Sequence, residues 1–268
     1  MRRFGKSIYL PYQRYSMKIQ YCSDLHLEFK ENKNYLRENP IIPSGEILLL
    51  AGDVVPFAVM DSHNDFFDFV ADNFERVYWV PGNHEYYYFD VANKNSSFHE
   101  KIRSNVSLVN NVSVSESNVK LVFSTLWSKI SPLNMRSIQQ GMSDFKVIKR
   151  NGQLFNPHDF NELHEQSLNF IKQEIRNITS EKMIVVTHHV PTFLNYPAEY
   201  KGSDLNEAFA VELFNLIEKS AVDYWLYGHN HRNQPDFDIK RTKLITNQLG
   251  YVKHFENQFF DSKKYINI

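Results

Sequence analysis

Five short motifs rich in carboxylate, amide and imidazole groups lie along this chain, and each follows a hydrophobic run. They are Asp24-Leu25-His26, Gly52-Asp53, Gly82-Asn83-His84-Glu85, Thr187-His188-His189 and Gly228-His229-Asn230-His231. Divalent metals take these side chains as ligands. The set offers at least seven such ligands, enough for two ions about 3.5–4 Å apart that share one carboxylate, a geometry suited to in-line displacement at phosphorus. The chemistry this suggests is metal-assisted hydrolysis of a phosphate ester.

The joint pattern carries weight that its parts lack. Asp-x-His alone is expected roughly 0.6 times in a shuffled chain of this composition, and a second copy stands at Asp61-Ser62-His63. Context separates the two. Asp24 follows the alternating run at 17–22 (MKIQYC), which reads as a strand, whereas Asp61 follows a loop and opens a helix-like stretch, where Asp is common in the first turn. Gly-His-x-His is rarer, at roughly 0.015 expected copies, and Gly228 follows another strand-like run at 222–227.

The elements that must position these residues follow from periodicity. The run at 46–51 (EILLLA) predicts a strand buried on both faces, ending at Gly52-Asp53. Residues 61–76 place Phe66, Phe69, Val70 and Phe74 at helical spacing, and 77–80 is the next strand. A second helix is predicted over 91–104, then short strands at 106–109, 112–114 and 119–124. The stretch 128–156, with Pro132, Gly141 and Gly152, reads as an elaborated loop. Asn156-Pro157-His158-Asp159 is a helix start, with Phe160, Leu163, Ile171, Ile175 and Ile178 as the buried face. Residues 182–187 predict a strand reaching His188, Asp204 with Glu207 resembles a capping box, and a β-rich tail includes 243–246. Every motif thus lies just past the C-terminal end of a strand, the edge where α/β sheets bind ligands.

Composition sets the bounds. The chain has 268 residues, 42% hydrophobic and 15% aromatic, with net charge −1 and one cysteine. That supports a full core in one domain and argues against a surface for long nucleic acid and against a disulfide framework. Cys22 reads as a small buried residue. No apolar run approaches the 18 or so residues of a membrane span. Residues 1–16 make a poor secretory signal and are expected to be a disordered extension or a mis-assigned start, with a single domain over 17–268 and a cytoplasmic location.

In order and content the motifs resemble the calcineurin-like metallophosphoesterases, from about residue 17 to residue 251. The resemblance implies an α/β fold, a four-layer αββα sandwich of two mixed sheets flanked by helices. It implies that Asp24, His26 and His231 bind one metal ion, that Asp53 bridges both, and that Asn83, His188 and His229 complete the second. His84 would be the transition-state acid. His188 is preferred over His189 because it comes first after the strand, in a Thr-His-x-x-Pro pattern that Pro191 completes. The two divalent ions, manganese, iron or zinc, would hold a hydroxide between them as nucleophile. Glu85 reads either as a residue that orients His84 and its loop or as an ordinary loop residue.

The chain departs from the protein Ser/Thr phosphatase branch, which reads Gly-Asp-x-Val-Asp-Arg-Gly and Arg-Gly-Asn-His-Glu. Here the corresponding Asp is Pro56, the first Arg is Phe57 and the second is Pro81. Two phosphate-gripping arginines and the carboxylate partner of the catalytic histidine are missing at those positions. The expectation is therefore a phosphodiesterase acting on a small phosphoester, nucleotide-derived being one version. The alternatives are a small-molecule phosphomonoesterase or a non-catalytic binding module of the same fold. Tyr86, Tyr87, Tyr88, Phe89, Trp127, Tyr196 and Tyr200 could wall a site for a base or aryl group, or simply pack in loops and core. His63, His99, His158, His164 and His254 sit in polar contexts and read as surface residues, and Asp144 with Phe145 could approach the site.

Overall fold

The computed structural model describes residues 16–94, 96–177 and 182–268. The expectation for residues 1–16 falls, Ser16 apart, outside the described residues, as does Ile178. The strands are β1 (Lys18–Cys22), β2 (Ile47–Ala51), β3 (Arg76–Val80), β4 (Phe98–Lys101), β5 (Val106–Asn110), β6 (Val112–Glu116), β7 (Val119–Ser124), β8 (Lys149–Arg150), β9 (Gln153–Leu154), β10 (Lys182–Thr187), β11 (Tyr224–Leu226), β12 (Phe237–Ile239), β13 (Thr242–Ile245) and β14 (Tyr265–Asn267). The α-helices are α1 (Lys30–Glu38), α2 (Asn64–Asn73), α3 (Met135–Gly141), α4 (Asp144–Val147), α5 (Pro157–Arg176) and α6 (Phe214–Glu218).

Two six-stranded sheets run β14-β1-β2-β3-β5-β4 and β12-β13-β11-β10-β7-β6. Each has a parallel centre and an antiparallel strand at either edge. Alternation along the strands builds the layers. In β2, Ile47, Leu49 and Ala51 pack against the other sheet, beside Ile184, Val186, Leu121 and Phe123. Leu48 and Leu50 point the opposite way, into the cluster that holds Phe67 and Val70 of α2. The second sheet buries Val122, Val185 and Trp225 under Leu168, Ile171 and Ile175 of α5. Strands covered on both faces read as unbroken apolar runs, and burying one such side chain is worth roughly 1.5–3 kcal/mol. The result is the αββα sandwich.

Several expectations need correction. The helix over 91–104 does not form; one 3-10 turn at Val91–Lys94 is followed by β4, where exposure alternates along an edge strand paired to β5. The 61–76 helix begins later, at Asn64, behind a 3-10 segment. The Asp204–Glu207 capping box is absent: the turn Asn206–Ala208 has no side-chain cap, and Glu207 instead accepts from the Ser131 N–H at 2.7 Å. The 128–156 stretch carries α3, α4 and the β8–β9 hairpin rather than an irregular loop. His164 and His63 are buried, not superficial; His164 Nδ1 donates to the Trp127 carbonyl at 2.9 Å. Among the described residues no helix is long and apolar enough to cross a membrane.

The start of α5 forms as read. The Asn156 side chain accepts from the N–H groups of His158 and Asp159, and the Asp159 carboxylate accepts from the Asn156 N–H. Asn156→Ala removes these caps and is expected to lower unfolding free energy by about 1 kcal/mol. A urea titration checks this; the midpoint should fall while the slope stays unchanged.

Candidate metal centre

The parallel strands of both sheets deliver their following loops to one place. Asp24 and His26 follow β1, Asp53 follows β2, Asn83 and His84 follow β3, His188 ends β10, and His229 and His231 follow β11. All seven ligand candidates are buried. Asp24, His26, Asp53 and His231 bring one ligand atom each within 4.8 Å of one another, and Asp53, His188 and His229 do the same. Asp53 belongs to both groups. Asn83 joins the second, its Oδ1 3.3 Å from His188 Nε2.

The hydrogen bonds around these residues test whether cations fit. His26 Nδ1 faces a Glu28 oxygen at 3.2 Å and His231 Nδ1 a Glu256 oxygen at 2.7 Å. His188 Nδ1 faces the Ala51 carbonyl at 2.9 Å and His229 Nε2 the Ala208 carbonyl at 3.3 Å. Carboxylates and carbonyls only accept, so these outer nitrogens carry the protons and the inner nitrogens present lone pairs. Those inner atoms then meet other acceptors. His26 Nε2 lies 3.0 Å from His231 Nε2, and His188 Nε2 lies 3.0 Å from His229 Nδ1. Asp53 Oδ2 is 3.4 Å from His188 Nε2 and 3.7 Å from His26 Nε2, and Asp24 Oδ1 is 3.4 Å from His231 Nε2. Two buried knots of lone pairs fit two cations.

The electrostatics agree. Burial opposes charge on His188 and His231, yet the carboxylates facing them push their pKa values up to about 9 and about 10. Burial likewise opposes ionisation of Asp53, but His188, His84 and His26 hold its carboxyl well below the usual 3.8. A site that draws protons onto imidazoles is one that draws positive charge.

Backbone shape makes the convergence possible. Asp24, His26, Asp53, His229 and His231 all have left-handed φ, at 56°, 48°, 54°, 79° and 52°. Such conformations cost of order 1 kcal/mol or more each and persist where the surroundings over-determine them. Gly82 leaves the needed room: a Cβ there would lie 2.2 Å from Asp53 Oδ1 and 2.6 Å from His188 Nε2.

Glu85 is the anchor of this region. Its buried carboxylate accepts from the N–H groups of Asp53 at 2.9 Å, Val54 at 2.6 Å and Gly82 at 2.6 Å, and from Trp79 Nε1 at 3.0 Å. It orients the loop, not the His84 ring. Asp144 also reaches the site: its Oδ1 accepts from Asn83 Nδ2 and from the Tyr87 hydroxyl, both at 2.9 Å, which turns Asn83 Oδ1 toward His188. His189 is buried beside the centre, its ring 4.2 Å from that of His229, but it joins neither ligand group; its Nδ1 faces the Thr125 carbonyl at 3.3 Å, and Trp127 and Phe160 pack on its ring.

His84 stands at the edge of a cavity of about 380 Å³ lined also by Asp53, Asn83, His229 and His231. Its Nδ1 faces Glu28 at 3.0 Å, its Nε2 faces the Tyr251 hydroxyl at 3.2 Å, and its ring stacks on Tyr87 with centroids 4.0 Å apart. Tyr87, Tyr196 and Tyr200 line the cavity, joined by Phe209 and Tyr251. Tyr86 and Trp127 are core residues instead, and Tyr88 is exposed. Glu28, Tyr251 and Glu256 were not singled out from sequence. For Glu28 a signal existed, an acid two residues beyond the first motif; Tyr251 and Glu256 lie in the tail with no pattern around them.

The chain matches the calcineurin-like phosphoesterase family over residues 17–233 and belongs to it. It is a metal-dependent hydrolase of phosphoric esters. It is 32% identical to "Uncharacterized protein L509" of Acanthamoeba polyphaga mimivirus over 276 residues, spanning 93% of this chain and 96% of that protein. Among solved structures it resembles phosphopantetheinyl hydrolase (PptH) from Mycobacterium tuberculosis, with TM-score 0.68 and 14% identity over 94% of this chain and 95% of that one. A dimetal phosphatase from Danio rerio superposes with TM-score 0.46 and 12% identity over 87% of each chain.

Metal analysis by mass spectrometry checks the ligand geometry. His188→Ala is expected to lose bound metal, and His189→Ala to keep it. Asp53→Asn, which alters the one side chain common to both groups, should deplete both ions together rather than one.

Proposed function

We propose that this protein is a phosphodiesterase acting on a small substrate. One ion would be held by Asp24, His26, Asp53 and His231, the other by Asp53, Asn83, His188 and His229, and His84 would be the proton donor. When bound, the ions supply Lewis acidity that offsets charge on the phosphate oxygens and acidifies the attacking water. Manganese, iron and zinc all suit this donor set. As the phosphorus–oxygen bond breaks, its electron pair stays on the leaving oxygen. His84 Nε2, directed toward Tyr251 at the cavity edge, is placed to give that oxygen a proton.

The observation that carries the diester reading is the cavity lining. Among the described residues it contains no lysine or arginine, and Arg232 behind it is held by Glu199 at 2.5 Å and Glu256 at 3.5 Å. A phosphomonoester brings a dianion, which proteins usually meet with such cations. A diester brings one charge and a second carbon substituent, which the rings of Tyr87, Tyr196, Tyr200, Phe209 and Tyr251 suit. Those rings favour a base or aryl group on the substrate. The name of the Mycobacterium tuberculosis neighbour adds a phosphopantetheinyl ester to the compounds worth testing. We also propose a cytoplasmic location.

The test compares bis-p-nitrophenyl phosphate with p-nitrophenyl phosphate on chelator-stripped protein given manganese. A higher kcat/KM for the diester is expected; preference for the monoester would sink the proposal. His84→Ala should retain both ions yet turn over a diester with an alkoxide leaving group about 10²–10⁴-fold more slowly.

A further inference from the structure

We propose that Glu28 is a positioning residue that ties His84 to His26 through a single carboxylate oxygen. Glu28 Oε1 lies 3.0 Å from His84 Nδ1 and 3.2 Å from His26 Nδ1. The carboxylate can only accept, so both nitrogens donate to it, and its two N–H bonds use the two lone pairs of one oxygen. Oε2 is buried and has no partner among the described residues. Among the described residues, these two histidines alone hydrogen-bond the carboxylate.

Ring geometry gives the contact its meaning. His26 and His84 meet edge to face, with centroids 4.5 Å apart and planes at 74°. Tyr87 stacks on the face of His84 and fixes the plane of the ring. Within that plane the ring can still turn over and exchange its two edges. Glu28 selects between these orientations: Nδ1 turns inward and Nε2 faces the Tyr251 hydroxyl and the cavity. The same oxygen sets the ring of His26, so the proton donor and one metal ligand share an alignment point. His26, Glu28 and His84 also bring three ligand atoms close enough to hold an ion, but the two N–H bonds account for their spacing without one.

The kinetic arm of the test rests on the phosphodiesterase reading; the spectroscopic arm does not. The kinetic arm uses thymidine 5′-phosphate aryl esters whose leaving groups run from p-nitrophenol to phenol. For Glu28→Ala the proposal expects a loss of kcat/KM that grows along the series, about 100-fold greater with phenyl than with p-nitrophenyl, whose departure needs no proton. Two ions should remain bound. A uniform loss across the series, loss of an ion, or a third ion in the wild type would overturn the proposal. A wild-type protein inert on the whole series would count against the phosphodiesterase reading, and the decision would pass to NMR. In zinc-loaded, ¹⁵N-histidine-labelled protein, the His84 Nδ1–H resonance should be protected from exchange, and Glu28→Ala should abolish that protection. Should the alanine variant not fold, the same resonance is read in Glu28→Gln, where the weaker neutral acceptor should shift it upfield. An unchanged resonance in the variant read would overturn the proposal.

Discussion

The structure is organised around a place where lone pairs face lone pairs. Four imidazoles, two carboxylates and an amide direct acceptor atoms inward at separations of 3.0–3.7 Å. Without positive charge this arrangement is repulsive, and burial makes it more so. The surrounding shell supplies an outward acceptor for each ring: Glu28, Glu256 and two backbone carbonyls. Backbone N–H groups steady the carboxylates, His84 N on Asp53 at 3.0 Å and His229 N on Asp24 at 3.0 Å. The inner geometry is thus held by contacts that lie outside it.

The shell also joins the two sheets. Asp53 comes from the first sheet and His188 and His229 from the second, while Asp24 of the first receives the His229 N–H of the second. Glu85 works at right angles to this seam. By taking N–H groups from the loops after β2 and β3 and the indole of Trp79, it fixes those loops to the core of their own sheet. Burial and the nearby Asp53 charge push its pKa up to about 8, against the backbone donors that favour the carboxylate. The five N–H donors gathered on the Glu85 side chain account for an acid directly after His84.

Much of this was legible in the sequence because it is local. A strand that ends in a ligand needs only its own apolar run and the polar residue after it, so Asp24, Asp53, Asn83, His188 and His229 could be placed by inspection. What escaped depends on distance. Tyr251 and Glu256 act on His84 and His231 from a tail without periodicity. Helix α1 escaped because it is almost wholly polar; of its residues only Asn32 is buried, through hydrogen bonds to the Leu25 and Gly250 carbonyls. The expected helix over 91–104 failed because an edge strand with one face exposed shows few apolar residues, and Phe98 alone could not distinguish the periods. His164 looked superficial among polar neighbours, but on α5 it falls on the face that carries Phe160 and Leu168.

The left-handed ligands connect the fold to the chemistry. Five of the seven ligand candidates sit in strained backbone, and each sits within two residues of a glycine or a neighbouring ligand in the same motif. A loop free to relax would release that strain and swing the ligand away. It cannot relax here, because its backbone is already paired: Asp24 N to Gly52 O at 2.9 Å, His26 N to Asp53 O at 2.9 Å, Gly228 N to His188 O at 2.9 Å and Gly250 N to Asp24 O at 3.1 Å. The first three of these bonds run from one ligand-bearing loop to another, so the strain in each loop is opposed by the pairing of the next. The centre is rigid because its loops hold one another, and the parallel strands are what bring those loops within reach.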